Sequence, residues 1–497
     1  MRSDPTLAAS ARVVASSTVS ALAVARAGLW ILLASHVVAT WGTQWDIRWH
    51  LLIGRDSFWI PPHIMIYSGV TAIVLISFGV LAWTTARGLG RTDRAQGTVR
   101  ILGISGTRGY HLAAWGIALT VLAAPIDDLW HRLFGLDVSL WSPPHLLGLL
   151  GSMINAAACW LIARETYPEG SRARLAAILL AGAIVYGGTS FAVQPGFRIA
   201  YVHGGVRFFT SAILAALLAP LALVVTARVS RLRAAPVFAL LVALLIGVVG
   251  ATVARNGFAW MQPVSFLADE IAKDPTSPIA VAHEMARKNG TTLDAFNPIG
   301  PLLALLAAIG MTAIDPRRRP VLAALAYGLT LFAALGVFLS RAPAFVDSLP
   351  SVLETAVAAI LTVLAGLVGG ALARRATAGD HAAVKTIGLV VTLALGVLSA
   401  PFVADAQSPP KIPRIGILAN SSPSFGAPHV EAFRQGLRDL GYTDVVIETR
   451  WAEGRFERLP DLAAELVRLK VDVIKTARTL GLTIPPSLLL QADQVIQ

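Results

Sequence analysis

Asp46, His50 and His63 recur further along the chain as Asp127, His131 and His145. In the first copy three residues separate the carboxylate from the first imidazole and twelve separate the two imidazoles; in the second the gaps are three and thirteen. Each copy closes on Pro-Pro-His, as Pro61-Pro62-His63 and Pro143-Pro144-His145. One carboxylate with two imidazoles is a transition-metal ligand set, and ligand softness alone leaves copper, iron and zinc open. Both copies interrupt apolar runs, where ionisable groups are costly and mark functional sites. A plainer reading stands beside this one. An interfacial His is commonly a hydrogen-bonded anchor, and an Asp–His pair four residues apart can simply stabilise a helix.

For three ligands to converge, the surrounding elements must place them. Asp46 and His50, like Asp127 and His131, share one face of a short helical turn. Proline is tolerated in a helix's first turn and keeps the residue before it extended, so His63 and His145 are expected at the heads of the next helices. Trp45, Trp49 and Phe58 are expected to pack the first unit, and Trp130, Phe134 and Trp141 the second. His36 and His111 fall outside the repeat and read as structural or supporting residues. His203 reads as interfacial, and His283, His381 and His429 as loop or tail residues.

The chain has 497 residues, of which 55% are hydrophobic and only 14% charged. Soluble domains carry about 25% charged residues, so this composition belongs in a bilayer. Apolar runs of spanning length fall at about 20–41, 63–85, 110–126, 145–163, 175–193, 208–227, 236–254, 298–314, 321–340, 351–373 and 386–403. The fold expected is mainly α: a polytopic transmembrane helical bundle of about 10–11 spans with a small, truncated α/β segment at its C-terminal end. The basic clusters, among them Arg87/Arg91/Arg94, Arg164/Arg172/Arg174, Arg228/Arg231/Arg233, Arg317/Arg318/Arg319 and Arg374/Arg375/Lys385, then share one side with the N-terminus. That side is read as cytoplasmic, which turns both His units and the loop at 255–297 outward. The formal charge of +12 is thereby accounted for, and no long Lys/Arg run calls for nucleic acid. Cys159 is the only cysteine, which excludes intrachain disulfides and thiolate-rich metal sites.

Five segments follow: a cytoplasmic N-terminal stretch (1–19), a six-helix metal-site domain (20–228), a further four-helix membrane region (236–384), a signal-peptide-like apolar segment (385–410) and a soluble tail (411–497). Leu389–Val403 followed by Ala404-Asp405-Ala406-Gln407 has the apolar core and small-residue site of a secretory signal. Strand-like runs at Ile412–Ala419 and Val471–Ile474 alternate with helical periodicity at Glu431–Leu440 and Leu459–Leu469, an α/β pattern.

The tail resembles the periplasmic substrate-binding proteins of an ABC-transporter family. The residues that carry this are Pro413-Arg414-Ile415-Gly416-Ile417-Leu418, Ala432 to Tyr442, Arg450-Trp451-Ala452-Glu453-Gly454-Arg455, Leu462 to Val467, and Ala477 to Ile496. The pattern jumps near Ile474–Lys475. The resemblance therefore implies an internally deleted remnant, too short for the two lobes that close over a ligand.

Around residues 40–150 the chain resembles the C subunit of the copper membrane monooxygenases, the particulate methane and ammonia monooxygenase group. Trp49-His50, Arg55-Asp56 and Pro61-Pro62-His63-Ile64-Met65-Ile66-Tyr67 carry it, with the D-x3-H-x12-H spacing. The family's second site has N-x3-H-x13-H spacing; here His131 and His145 match, and Asp127 stands where the family has Asn. The resemblance implies copper at Asp46/His50/His63 and at Asp127/His131/His145. It also implies oxidation of a C–H or N–H bond with dioxygen, a membrane reductant, and partner subunits that this chain does not replace.

Two classes of function remain open: a redox subunit of a copper-dependent membrane monooxygenase, and a non-catalytic membrane protein that binds metal or uses the His units structurally. A solute-uptake component is a third reading, resting on the tail alone. The expected location is a bacterial inner membrane, with the N-terminus cytoplasmic and the metal units and tail periplasmic.

Overall fold

A computed structural model describes residues 5–54, 57, 59–87, 98–134, 141–273, 275–378, 414–439, 445–469, 471, 473–476 and 494–496. The chain divides into two compact units, Met1–Phe402 and Val403–Gln497.

The first unit is helical. Helix α1 (Pro5–Leu52) is followed by α2 (Pro61–Ala86), a β-hairpin (β1, Thr98–Ile101; β2, Ile104–Thr107), α3 (Arg108–Phe134), α4 (Pro143–Thr166) and α5 (Arg172–Val193). Next come the short α6 (Pro195–His203), α7 (Thr210–Ser230) and α8 (Ala235–Met261), then α9 (Leu267–Lys273) and α10 (Pro278–Lys288) in the segment expected as a loop. The unit ends with α11 (Ile299–Ile314), α12 (Pro320–Leu339) and α13 (Val352–Ala376). Among the described residues nine helical segments are long and apolar enough to cross a membrane, and α11 is a shorter apolar helix. Ten of the eleven expected apolar runs are thus helical. The eleventh, 386–403, lies outside the described residues, as does the rest of the 385–410 segment.

The polarity of the bundle is that of a protein dissolved in lipid. Its core mixes large buried side chains such as Leu29, Ile73 and Tyr110 with many small ones, among them Ala113, Ala216, Ala222, Ala239, Ala307 and Ala323, all fully buried, while Leu75, Leu245 and Ile360 lie on the outside. Lipid tails are as apolar as leucine, so helices associate through close packing of small residues rather than by hiding large ones. One continuous core runs from Ala25 to Ala373 and joins the two membrane regions read from the sequence.

Two further details differ from the sequence reading. Asp46/His50 and Asp127/His131 do not form separate helical turns; they sit in the last turns of α1 and α3. No glycine or proline follows before Gly54 and Gly135, so nothing stops either helix earlier. The segment after α2, read only as a basic loop, contains the β1–β2 hairpin, closed by Leu102 and Gly103 at positive φ.

The second unit holds a four-stranded parallel sheet. Its strands are β3 (Arg414–Ala419), β4 (Val446–Trp451), β5 (Val473–Thr476) and β6 (Gln494–Ile496), in the order β4-β3-β5-β6. Ile415 pairs with Ile447 on one side and Val473 on the other. Parallel neighbours need crossovers, and α14 (Pro423–Asp439) and α15 (Leu459–Arg468) lie between successive strands. Leu459, Leu462 and Leu466 of α15 pack on Leu418 and Val471. Strands β4 and β6 have no counterpart in the sequence reading; the other elements fall where it expected them, with α14 starting earlier.

Candidate functional site

Helices α1 and α2 can approach because glycine stands where they cross. A Cβ added at Gly42 would lie 2.9 Å from the Ile66 backbone nitrogen, and one at Gly69 would lie 2.9 Å from the Ser35 carbonyl oxygen. Helices α3 and α4 repeat the device: a Cβ at Gly116 would lie 2.7 Å from the Asn155 nitrogen and 2.9 Å from the Gly151 oxygen. Each pair thereby brings the carboxylate in the last turns of one helix to the imidazole in the first turn of the next. Both receiving helices begin at the expected prolines, with Ile60 and Ser142 as extended N-caps.

In the first unit His63 Nε2 lies 3.1 Å from Asp46 Oδ1, and His50 Nε2 lies 3.8 Å from the same oxygen. His63 Nδ1 lies 3.0 Å from the Ser57 carbonyl oxygen. A carbonyl only accepts, so Nδ1 carries the proton and Nε2 is turned toward the carboxylate. In a neutral ring two lone pairs would then face one another, and a proton or a cation between them relieves the repulsion. The Asp46 Oδ1 atom is buried and accepts no hydrogen bond from the described residues. Two ligands each about 2.0–2.1 Å from a metal and roughly a right angle apart are themselves about 3 Å apart, so the Asp46–His63 separation fits one ion. The third ligand is not drawn in: among the described residues no group of three or more His, Cys, Asp or Glu is gathered closely enough to hold a metal ion.

In the second unit His145 Nε2 lies 3.4 Å from Asp127 Oδ1. His131 is on the same helix one turn after Asp127, and its side chain lies outside the described residues, as does that of Phe134. Phe58 also lies outside them.

Asp46, His50, His63, Asp127 and His145 all line a single cavity of about 1570 Å³. Its described wall adds a third carboxylate, Glu270, and one guanidinium, Arg198. Three carboxylates against one fixed cation make a field that favours bound cations.

The tryptophans act as expected in the first unit. Trp49 stacks on Phe258 of α8, with centroids 5.6 Å apart, and Trp45 meets the same ring edge-on at 6.1 Å. Trp141 is buried, and its Nε1 donates to the Ala192 carbonyl at 3.0 Å.

Four further residues organise the site: Ser265, Phe266 and Asn155 were not singled out in the sequence, and His283 was read there as a loop or tail residue. Helix α1 ends with carbonyls that need donors. His283 Nε2 donates to the Leu51 oxygen at 2.6 Å, Ser265 Oγ to the Leu52 oxygen at 2.6 Å, and the Phe266 amide to the Ile53 oxygen at 2.7 Å. The segment between α8 and α11 is therefore fastened to the turn that carries His50. Asn155 is the fourth. Its Oδ1 accepts from His36 Nε2 at 2.8 Å, while its Nδ2 donates to the Ala113 carbonyl at 2.7 Å and to Ser77 Oγ at 3.2 Å, tying α1, α2, α3 and α4 together. His36 thus has the structural role read for it. His111 Nε2 reaches the Val99 carbonyl at 3.4 Å and His429 Nδ1 the Phe425 carbonyl at 3.3 Å. His203 ends α6, and His381 lies outside the described residues. An asparagine amid alanines and a histidine far along the chain carry no periodic signal, which is why spacing alone passes over them.

No protein-family model, no curated protein and no solved structure matches this chain.

Proposed function

We propose that this membrane protein binds metal ions, copper by the resemblance of its ligand spacing, at Asp46/His50/His63 and at Asp127/His131/His145. We further propose that it serves as a redox subunit of a copper-dependent monooxygenase-like assembly in a bacterial inner membrane, with its Arg-rich ends cytoplasmic. The observation that carries the reading is the Asp46 Oδ1–His63 Nε2 separation of 3.1 Å, with Nδ1 held by the Ser57 carbonyl. A carbonyl on one ring nitrogen fixes the tautomer and aims the other at the ion. The shared cavity adds support, since Asp46, His50, His63, Asp127 and His145 all line one chamber. When bound, copper would supply one-electron exchange and oxygen chemistry. The chain's own contribution is to present the nitrogens and carboxylates, to keep the Asp46 carboxylate poor in competing donors, and to wall the chamber with apolar side chains. Oxygen chemistry would draw on partner subunits and a membrane reductant.

Metal analysis of the purified, copper-supplied chain tests this directly. Bound copper that falls on His50→Ala combined with His131→Ala supports metal binding. Reductant-dependent oxygen consumption in the presence of partner subunits then separates an oxygenase subunit from a metal binder. A folded protein that takes up no metal would sink both.

A second reading has its own observation. An imidazolium and a carboxylate in direct contact also sit about 3 Å apart, and no closed three-ligand group is present among the described residues. On that reading His63 and Asp46 form an ion pair that fastens α1 to α2, without metal. The tail is proposed as a remnant of a solute-binding protein, carrying part of one lobe.

A further inference from the structure

Helix α4 carries His145 in its first turn, at the chamber, and Arg164 in its last turn, about 28 Å further along the axis at 1.5 Å per residue. At that far end Arg164, Arg174, Arg228, Arg231, Arg317 and Arg318 line a pocket of about 410 Å³. They come from the end of α4, the start of α5, the end of α7 and the turn between α11 and α12, so only the folded bundle brings them together. The pocket is built rather than loosely assembled. Arg228 Nη1 donates to the Arg317 carbonyl at 2.8 Å, its Nε donates to Thr377 Oγ1 at 2.5 Å, and Arg317 Nη1 donates to the Arg231 carbonyl at 2.9 Å. Arg317, Arg228 and Arg174 are half-buried.

Among the described residues the charge does not balance. Arg231 pairs with Glu169, and Arg317 and Arg318 share Asp315. Arg164, Arg174 and Arg228 pair with no carboxylate among the described residues. Some arginine is expected wherever helices present C-terminal carbonyls. That accounts for single residues at the ends of α4 and α7, but not for six guanidinium groups turned on one concavity. Guanidinium forks match tetrahedral oxyanions in two-pronged fashion, and basic pockets between helices at headgroup depth suit acidic lipid headgroups.

We propose that this pocket binds a phosphate group, carried by the headgroup of an acidic phospholipid or present as free phosphate. It lies apart from the histidine chamber and does not depend on what the chamber holds.

The test uses the full chain in detergent, with the thermal midpoint read in three additions: phosphatidylglycerol, phosphatidylcholine, and inorganic phosphate at ionic strength matched with chloride. The expected result is a rise in midpoint with a phosphate source that phosphatidylcholine and chloride do not reproduce. A rise confined to phosphatidylglycerol assigns the lipid headgroup; a rise with inorganic phosphate assigns free phosphate. Arg164→Gln combined with Arg174→Gln should weaken the apparent affinity by about tenfold or more, the worth of one charge-assisted hydrogen bond. Should that variant not purify folded, Arg318→Gln, at an exposed position, takes its place and should weaken the response in the same direction. No rise from either phosphate source, or an equal response in the folded variant, would overturn the proposal and leave the arginines as helix-end caps.

Discussion

His283 Nε2 lies 2.6 Å from the Leu51 carbonyl oxygen, across 232 residues of sequence. This bond, with those from Ser265 and Phe266, makes the segment between α8 and α11 the cap of the helix that carries Asp46 and His50. That helix end bears Asp46 and His50 as well as the fastening, so mobility of the outer segment and order around these two residues are coupled.

His283→Ala should leave the bundle folded and loosen the cap. The Leu51 carbonyl is half-buried, and one lost hydrogen bond costs up to about 1–3 kcal/mol where water does not replace the donor. Hydrogen exchange of residues 262–297 and of the last turn of α1 should accelerate, with little change in α11–α13. Unchanged protection at both places would show that the bond does not fasten the segment.

The Asp46–His63 contact separates the two readings of the site. Asp46→Asn keeps the shape and removes the charge. If the pair holds metal, copper bound to the purified chain falls by about half, since one of two ligand sets is weakened. If the pair is an ion pair alone, metal content stays at the wild-type level and only thermal stability drops. Elemental analysis and a melting curve on the same sample distinguish these.

Gly42→Leu and Gly116→Leu should each force a helix pair apart. At both positions the first added carbon meets backbone atoms under 3 Å away, which cannot rotate aside. Overpacking of this kind costs about 1–3 kcal/mol or more. The expected sign of the α1–α2 shift is a disulfide-trapping rate between Asp46→Cys and His63→Cys that falls in the Gly42→Leu background. An unchanged rate would show that glycine is not what sets the approach.

Asn155→Leu should destabilise the bundle through four helices at once. Its amide accepts from His36 and donates to Ala113 and Ser77 in a fully buried position. Polar contacts inside membrane bundles are worth about 0.6–2 kcal/mol each, so a lowered midpoint is expected, with His36 left buried and unsatisfied. Asn155→Leu combined with His36→Leu should recover part of the loss. Failure to recover would place the cost in packing rather than in the lost bonds.

Asp315 supplies an acid limb to stability. The Arg317 guanidinium beside it, with backbone help, holds its carboxyl down at about 2, below the ordinary 3.8. A depressed carboxylate contributes stability that is complete above the unfolded-state value and is lost as pH falls through the folded value. The contribution should therefore fade between about pH 4 and pH 2. In that window the thermal midpoint of the wild type should fall toward that of Asp315→Asn, and the two should run parallel above it. Curves that stay parallel throughout would remove Asp315 from the acid response.

The amino-acid order alone settles a good deal here. Charge poverty and run length specify membrane helices, because an apolar stretch of about 20 residues has no better place than a bilayer. Pro61-Pro62 and Pro143-Pro144 specify where α2 and α4 begin, because proline's fixed φ suits a first turn and little else in a helix. The spacing of Asp46, His50 and His63 names the donors. Only the tertiary structure decides which donors meet, and it does so through contacts that have no local signal. Gly42 and Gly116 show their use only when a second helix crosses them. His283 finds Leu51 only because α10 folds back over α1. Asp46 and Asp127, 81 residues apart in sequence, line one chamber because the helix pairs α1–α2 and α3–α4 pack together through Asn155. Spacing along a chain reports helix faces; which faces share a cavity depends on how helices pack, and that is set by small residues and buried amides that periodicity does not mark.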